Sequence, residues 1–290
     1  MNSYISTQAL TKKFSGQTVL DNIDAEVRPG DIVGLLGANG AGKTTLLEVL
    51  TGLSPPTSGS ARLFDTEAMD ASAATKRRLG FVPQTDELIT DMRASEYLDL
   101  IASFYPTWDR ALVSNLVSTW NLDPAKTIGK LSVGQRQKLA IITALAHKPE
   151  LLILDEPVAS LDPVARRQFL QQLVDLGADD RRAVIFSSHI VSDVERLANV
   201  VWILKDGRLF WQGELDALKE SVVRVHTPTD RAAATRVVFR RVVTERTNGG
   251  TTTMVALRAP DEDWSALDSR LPDARIEVLG LEDIFLELHS

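Results

Sequence analysis

The sequence predicts an α/β fold whose core is a mainly parallel β-sheet. Short, nearly continuous apolar runs alternate with helical stretches between residues 32 and 207, and this alternation is typical of buried parallel strands joined by crossover helices. A glycine-rich stretch separates the first apolar run from the helix that follows it. From Val222 onward the pattern changes to short alternating strands, which predicts a second, smaller α/β domain.

The residues before the central sheet predict an antiparallel β edge subdomain. Residues 4–10 and 17–27 alternate apolar and polar side chains, and the second stretch ends at the turn sequence "RPGD". Alternating strands joined by turns are expected to pair in the antiparallel sense. "IVGLLG" (32–37) then predicts the first buried strand, and residues 43–53 predict the helix after it.

The middle of the chain predicts a helical subdomain, which we place at about residues 88–145. Residues 90–121 are rich in helix formers with apolar side chains at helical spacing, and Pro106 interrupts them. The other core elements are predicted as helix 133–146, strand 151–156, helix 163–176, strand 183–188, helix 190–197 and strand 200–207.

The last 71 residues, 220–290, predict a small accessory domain after a main domain at residues 1–219. It is predicted to contain the strands "VVRVH", "RVVFRRVV" and "TTTMVALRA", a helix around Trp264, the strand "ARIEVLG" and the amphipathic helix "LEDIFLEL". These residues show no catalytic cluster. Packing or contact with a partner is therefore the expected role of this domain.

The composition excludes several classes of protein. The 290-residue chain carries a formal charge of −7, which argues against a protein that binds nucleic acid by neutralising its phosphates. No apolar run is long enough to cross a bilayer, and with no cysteine there is no disulfide framework or thiolate site. The N-terminus lacks the pattern of a secretory signal. We therefore expect the chain to remain in the cytosol.

"GANGAGKTT" (37–45) fits the phosphate loop G-x-x-x-x-G-K-[ST] and lies between a predicted strand and a predicted helix. Its glycines let backbone N–H groups curl around a polyphosphate, and the N-terminus of the helix adds a favourable dipole. Lys43 supplies a cation for the outer phosphates, and the hydroxyl of Thr44 can bind Mg²⁺. A glycine-rich turn without this function is the alternative, and both flanking elements argue against it.

"LLILDEP" (151–157) places Asp155 and Glu156 at the carboxyl end of a predicted strand, where parallel sheets hold their ligands. Because neighbouring side chains on a strand point to opposite faces, Asp155 is predicted to reach Mg²⁺ while Glu156 polarises a water molecule. The alternative is a surface acidic pair at the turn that begins with Pro157. The four apolar residues before the pair and the upstream phosphate loop favour the functional interpretation.

Two further residues are weaker candidates. His189 follows the predicted strand "AVIFSS", so a neutral imidazole could donate a hydrogen bond to a terminal phosphate. A histidine in this position alone is as readily structural, and its place after the next strand favours function. Gln84 in "GFVPQ" reads by itself as a loop residue. The neighbouring motifs make it a candidate ligand or sensor.

"KLSVGQRQK" (130–138) predicts a second helix start that suits an anion. Ser132 is a good N-cap, Gly134 permits close approach, and Arg136 and Lys138 add positive charge. On spacing alone, a plain capped helix is the favoured interpretation. Since the polyphosphate already has its loop, the alternative is that this helix start serves a nucleotide on a second copy across a two-fold dimer interface.

Taken together, these residues resemble the nucleotide-binding subunit of an ATP-binding cassette (ABC) transporter over about residues 1–219. The motifs follow the family's order: the Walker A loop "GANGAGKT", the Q-loop at Gln84, the signature "LSVGQ", the Walker B strand "LLILDE", the D-loop "SLD" (160–162) and the H-loop at His189. The resemblance implies a P-loop NTPase core with a helical signature subdomain, and ATP and Mg²⁺ as cofactors.

The resemblance also implies a role for each matching residue. Glu156 would be the catalytic carboxylate, assisted by His189 and Lys43, and Phe14 would stack on adenine with Val19 beside it. Nucleotide binding is assigned to Phe14, Val19, Asn39, Gly40, Ala41, Gly42, Lys43, Thr44, Thr45 and Gln84. Magnesium binding is assigned to Thr44, Gln84 and Asp155, the contact with the opposite subunit's nucleotide to Ser132, Val133, Gly134 and Gln135, and the D-loop carboxylate to Asp162.

The stretches "FYPTWD" (104–109) and "GLEDIFLEL" (280–288) are similar to bacterial exporter-type cassettes whose membrane domain is a separate polypeptide. The implied partners are that permease and a second copy or a paired ABC subunit, with no nucleic acid expected. The implied location is cytoplasmic, on the inner face of the cell membrane. Two residues depart from the family: Val133 replaces the usual glycine of the signature, and Ala38 replaces the common proline of the Walker A loop.

Two other functions remain as alternatives to a transport-coupled ATPase. A soluble cassette ATPase acting on nucleic acid or ribosomes would be expected to contain a second cassette or a long coiled-coil insertion, and the sequence has neither. A non-hydrolytic ATP clamp would use nucleotide only to hold a dimer. Glu156 and His189 argue against the clamp, whereas Val133 is compatible with it.

Overall fold

The structure, a computed structural model, describes residues 3–85, 87–258, 271 and 273–289. The chain forms two compact units. The first contains Met1–His189 and Leu197–Gln212, and the second contains Ile190–Arg196 and Gly213–Ser290. The predicted domain boundary after Lys219 stays a prediction.

The first unit begins with a four-stranded antiparallel sheet of order β2-β1-β4-β5. Its strands are β1 (Ile5–Phe14), β2 (Gln17–Val27), β4 (Ser58–Leu63) and β5 (Thr66–Glu67). The pairing of β1 with β2 is the predicted antiparallel edge. The sequence analysis did not predict β4 and β5.

A six-stranded sheet of order β10-β9-β3-β8-β7-β6 forms the centre. Its strands are β3 (Ile32–Leu36), β6 (Leu79–Val82), β7 (Leu151–Leu154), β8 (Ala183–Ser187), β9 (Val200–Lys205) and β10 (Arg208–Glu214). In this order, each pair of adjacent strands from β9 through β3, β8 and β7 to β6 is parallel. Parallel strands end at the same edge of a sheet, so the residues after β3, β6, β7 and β8 come together.

Apart from α2, which the sequence analysis did not predict, the helices follow one another in the predicted order. They are α1 (Lys43–Leu50), α2 (Ala73–Lys76), α3 (Ala94–Ala102), α4 (Arg110–Thr119), α5 (Val133–Ala146), α6 (Pro163–Gly177) and α7 (Val191–Leu197). Helix α1 lies in the main hydrophobic core, where Leu46, Leu47 and Leu50 are fully buried. This packing fixes the loop between β3 and α1.

The second unit contains a four-stranded antiparallel sheet of order β12-β13-β11-β14. Its elements are α8 (Leu215–Ser221), β11 (Val222–Pro228), α9 (Ala232–Arg236), β12 (Arg241–Asn248), β13 (Thr251–Leu257), β14 (Arg275–Val278) and α10 (Leu281–His289). Its core contains Val223, Val225, Phe239, Ala256 and Leu271. The predicted helix around Trp264 lies outside the described residues.

The prediction of one strand over "RVVFRRVV" (236–243) is wrong in its first half. Arg236 ends α9, and β12 begins only at Arg241. Phe239 packs into the core from the intervening turn, whereas Val237 is 80% exposed. The three apolar residues 237–239 resemble part of a strand in the sequence although they form a turn, so the pattern alone could not separate the two structures.

Helix α1 ends three residues earlier than predicted because Gly52 takes a left-handed conformation just after its C-cap, Thr51. The φ angle of Gly52 is +75°, and a Cβ there would lie 2.1 Å from the carbonyl oxygen of Ala68. An alanine here would be strained by the left-handed conformation, and its methyl group would overlap the carbonyl of Ala68 unless the backbone moved.

We predict that Gly52→Ala lowers the free energy of unfolding by about 2–4 kcal/mol, measured by urea denaturation. Gly16→Ala is the matched control. Gly16 has a φ of +85°, but none of the described atoms lies within 4 Å of the position that its Cβ would take, so this variant should lose only about 1–2 kcal/mol. Equal losses in both variants would contradict the role assigned to the contact with Ala68.

Candidate functional site

A cavity of about 330 Å³ lies in the first unit at the carboxyl edge of the central sheet. It brings together the loop before α1, the loop after β6 and the acidic pair after β7. The lining residues are Val19, Asn39, Gly40, Gly42, Lys43, Thr44, Thr45, Gln84, Asp155 and Glu156. Residues far apart in sequence thus meet at one site, as the parallel topology requires.

The loop from Gly37 to Gly42 contributes Asn39, Gly40 and Gly42 to the lining of this cavity. Gly40 and Gly42 have φ angles of +78° and +105°. A Cβ at Gly42 would lie 3.1 Å from the carbonyl oxygen of Val19, so this position needs glycine for both its conformation and its space. Helix α1 has no side-chain cap and no acidic residue in its first turn. Its N-terminus is therefore suited to an anion.

Lys43 is the cation of the cavity, and the backbone of the loop holds its ammonium. The residue is only 8% exposed. Its Nζ donates hydrogen bonds to the carbonyl oxygens of Gly37, at 2.8 Å, and Ala38, at 3.3 Å. A buried ammonium without a carboxylate partner in these contacts favours a negatively charged ligand beside it.

Ser187, at the end of β8, connects the two acidic residues. Its Oγ donates a hydrogen bond to Oδ1 of Asp155 at 2.6 Å and accepts one from the backbone N–H of Glu156 at 2.8 Å. Asp155 is 1% exposed and Ser187 is fully buried. The hydroxyl therefore orients the Asp155 carboxylate and fixes the backbone at the next residue.

The directions of Asp155 and Glu156 do not come from strand alternation, which corrects the sequence-based explanation. Strand β7 ends at Leu154, and Glu156 has a left-handed φ of +48°. A residue other than glycine in this conformation is uncommon and costs about 1–2 kcal/mol. The turn, held by the Ser187 hydrogen bond, sets the direction of the Glu156 side chain.

His189 contacts Glu156 directly. Its Nδ1 lies 2.7 Å from Oε2 of Glu156, and its side chain is 55% exposed whereas that of Glu156 is 8% exposed. With a carboxylate partner, Nδ1 carries the proton and donates the hydrogen bond. The imidazole therefore orients the carboxylate, and Nε2 remains on the other side of the ring.

Oxygen atoms suited to Mg²⁺ converge from separate elements. Thr44 Oγ1 donates a hydrogen bond to Gln84 Oε1 at 3.4 Å, and both residues line the cavity with Asp155. Hydroxyl, amide and carboxylate oxygens are ligands that Mg²⁺ prefers. Among the described residues, no group of three or more His, Cys, Asp and Glu side chains forms another metal centre.

The aromatic candidate Phe14 lies at the end of β1, outside the set of residues that line the cavity. It is 46% exposed, and the ammonium of Lys12 lies 4.7 Å from the centroid of its ring. Val19 does line the cavity. One ring face thus meets a cation, and an exposed ring is able to stack on a base.

The signature residues are placed at the N-terminus of α5, away from the cavity lining of this chain. Ser132 and Gln135 form a reciprocal capping box: Ser132 Oγ accepts from the Gln135 N–H at 3.2 Å, and Gln135 Oε1 accepts from the Ser132 N–H at 3.0 Å. Val133 is 56% exposed. The plain capped helix is thus present, with an exposed valine on its first turn.

The sequence analysis missed Ser187. The signal for it was its place two residues before His189 at the end of a buried strand, where a small polar side chain in an otherwise apolar run needs a partner. No residue pattern could have revealed that this partner is Asp155, since the pairing of β7 with β8 creates the contact.

Comparisons with known proteins identify the family. The profile of the family described as "ABC transporter" matches residues 20–159. The bacitracin transport ATP-binding protein BcrA of Bacillus licheniformis is 36% identical over 223 residues, covering 76% of this chain and 72% of that protein. The ABC transporter ATP-binding protein YtrB of Bacillus subtilis is 27% identical over 283 residues, covering 97% of each chain.

A solved structure shares the fold. It is the dimeric, post-hydrolysis state of an ATP-binding cassette bound to ADP and Pi, with a TM-score of 0.65 and 25% identity. The match covers 73% of this chain and 98% of that one. The α/β fold with a P-loop NTPase core is therefore confirmed.

A phosphate loop that opens a helix beside an acidic pair defines a P-loop nucleoside triphosphatase. The chain belongs to the ABC transporter family and is an ATP-binding subunit of that family. It binds ATP with Mg²⁺ and hydrolyses ATP. The predicted family, activity and cofactors are confirmed, while the roles of individual residues stay predictions. Among the described residues, no helix has the length and apolarity needed to cross a membrane.

We predict that Ser187→Ala destabilises the protein by about 1–3 kcal/mol, because it leaves a buried carboxylate oxygen and a backbone N–H without their shared partner. Chemical denaturation measures the loss. Ser103→Ala is the control, because that exposed hydroxyl donates its hydrogen bond to the Leu100 carbonyl in α3 and should change stability by less than about 0.5 kcal/mol. An unchanged Ser187→Ala variant would show that the hydroxyl does not support the acidic pair.

Proposed function

We propose that the chain is the ATP-hydrolysing motor subunit of an ABC transporter, and that Glu156 activates the attacking water. The observation that carries this proposal is the 2.7 Å contact between His189 Nδ1 and Glu156 Oε2 at the edge of a cavity that also contains Lys43. A carboxylate oriented by an imidazole and adjoining a phosphate loop is suited to position a water.

Each residue of the site has a role in the proposed reaction. Lys43 and the N-terminal N–H groups of α1 offset the charge that develops on the phosphate oxygens. Glu156 accepts a hydrogen bond from the water and orients it, and His189 holds Glu156. Asn39, Gly40, Ala41, Gly42 and Thr45 cradle the phosphates from the loop and the start of α1, while Phe14 and Val19 bind the base. Mg²⁺ held by Thr44, Gln84 and Asp155 would neutralise phosphate charge.

The proposed working form is a dimer in which each copy completes the other's site. Ser132, Val133, Gly134 and Gln135 would contact the nucleotide of the opposite copy, and Asp162 belongs to the D-loop of the same interface. Their separation from this chain's own cavity supports the assignment. Such a pair closes on two ATP molecules and opens after hydrolysis.

The proposed partner is a separate membrane permease, and the proposed location is the inner face of the cell membrane. Relatives support this: one is named a bacitracin transport ATP-binding protein, and another, 34% identical, is the Nod factor export ATP-binding protein I of Burkholderia thailandensis. The proposed direction is export. The proposed role of the accessory domain at residues 220–290 is packing or contact with a partner. The match to YtrB extends over 97% of this chain and therefore includes most of this domain.

We predict that Glu156→Gln retains ATP binding and lowers turnover by at least about 100-fold, because the amide is a poor proton acceptor. The variant and the wild type are compared by Mg²⁺-dependent phosphate release and by equilibrium binding of a fluorescent ATP analogue.

Lys43→Ala is the matched control at the same cavity. It removes the cation that faces the phosphates and should abolish binding and turnover together. Near-normal hydrolysis by Glu156→Gln would remove Glu156 from its proposed role, and unchanged nucleotide affinity of Lys43→Ala would do the same for Lys43.

A further inference from the structure

The first two turns of α5, which carry the signature, contact the segment that links Glu156 to α6 in the same chain. This segment, residues 157–162, begins directly after Glu156 and ends at Asp162, the N-cap of α6. None of these contacts involves a residue that lines the nucleotide cavity. These contacts nevertheless connect the signature, which is proposed to contact the nucleotide of the opposite copy, with the segment after Glu156, which is proposed to act on the nucleotide of its own chain.

The backbones approach closely at one point of this contact. A Cβ at Gly134 would lie 2.5 Å from the carbonyl oxygen of Ser160, so glycine is required there by the neighbouring segment of this chain. One turn further, Nε2 of the buried Gln137 donates a hydrogen bond to the carbonyl oxygen of Pro157 at 3.3 Å. Both ends of the 157–162 segment are therefore in reach of α5.

Lys138 makes the charged contact. Its Nζ lies 2.8 Å from Oδ2 of Asp162 and 3.5 Å from the carbonyl oxygen of Trp120. The Lys138 side chain is 12% exposed and that of Asp162 is 53% exposed. An ammonium this far removed from water depends on its partner more than a surface lysine does.

Asp162 serves both helices. Its Oδ1 accepts hydrogen bonds from the N–H groups of Val164, at 3.1 Å, and Ala165, at 2.9 Å. The pKa of the Asp162 carboxyl is held below its usual value, mainly by the hydrogen bond from Lys138 and next by the hydrogen bond from the N–H of Ala165. One carboxylate thus joins the start of α6 to the side of α5.

The 157–162 segment is internally hydrogen-bonded, so movement at one end reaches the other. The N–H of Ala159 donates to the carbonyl oxygen of Glu156 at 3.2 Å, and that of Leu161 donates to Val158 at 3.2 Å. Glu156 itself has the left-handed φ described above. A shift of α5 relative to α6 would therefore displace the backbone of Glu156.

We propose that Lys138 is a positioning residue that couples the signature of this chain to Glu156 of the same chain through Asp162. When the opposite copy's nucleotide engages the signature helix, Lys138 moves the 157–162 segment with that helix and aligns Glu156 in the chain's own site. Lys138 contacts neither nucleotide. The inference rests on the proposed dimeric ATPase and deepens it by naming the connection between its two sites.

The chain offers a matched control pair at the opposite end of α5. Lys148 Nζ lies 2.9 Å from Oδ2 of Asp109, and Asp109 is likewise the N-cap of a helix, α4. This pair also joins a lysine ammonium to the N-cap of a helix, although its lysine is 54% exposed whereas Lys138 is 12% exposed. None of the contacts described for the pair involves the 157–162 segment. Lys148→Met therefore controls for the loss of a lysine–N-cap ion pair.

The test is a double-mutant cycle on the full chain with steady-state ATP hydrolysis as the readout. Lys138→Met keeps the length of the side chain without its charge, and Asp162→Asn keeps a capping oxygen without its charge. We expect each to lower kcat by about 10-fold with KM for ATP within about 2-fold. The double variant should be no slower than the slower single variant, and Lys138→Arg should restore at least half of the wild-type kcat.

The outcomes separate this inference from the proposed function. If the wild type hydrolyses ATP and Lys138→Met has wild-type kcat, or if the two substitutions multiply in the double variant, the inference is wrong and the ATPase stands. If Lys148→Met slows hydrolysis as much as Lys138→Met, the effect is general to such ion pairs and the inference is also wrong. If Lys138→Met does not fold, the same decision is made from the kcat of two other variants, Asp162→Asn alone and Asp162→Asn combined with Lys138→Arg. A wild type without ATPase activity would overturn both.

Discussion

The hydroxyl of Ser187 is the point on which the geometry of the site depends. It holds the carboxylate of Asp155, which is 1% exposed, and the backbone of Glu156 in a left-handed conformation. A buried carboxylate without such a donor is strongly disfavoured. Because Ser187 ends β8 and Asp155 follows β7, the parallel pairing of these two strands is what makes the site possible.

The phosphate loop obeys a different constraint. Its conformation comes from Gly42, where both the φ of +105° and the proximity of Val19 exclude a side chain, and from the burial of α1 in the core. The loop and the acidic pair are therefore built independently, and only the central sheet brings them to one cavity. Substitutions in either part should leave the other part's local structure intact.

Much of this could be predicted from the sequence because the signals were local. Apolar runs alternating with helices fix a parallel sheet, and the phosphate loop is one continuous motif. The contacts of Ser187, Gln137 and Lys138 could not be predicted, since each joins segments more than ten residues apart. The left-handed conformation of Glu156 could not be predicted either. The sequence pattern predicts a strand through all of "LLILDE", whereas the strand in the structure ends at Leu154.

The most direct test of the central claim, that two copies close on ATP, is the solution mass of Glu156→Gln by light scattering after size exclusion, with and without ATP and Mg²⁺. Blocked hydrolysis should trap the closed pair, so a shift from monomer to dimer only when ATP and Mg²⁺ are both present is expected. A mass that stays monomeric while ATP binding is demonstrated in the same sample would contradict a dimer of this chain with itself.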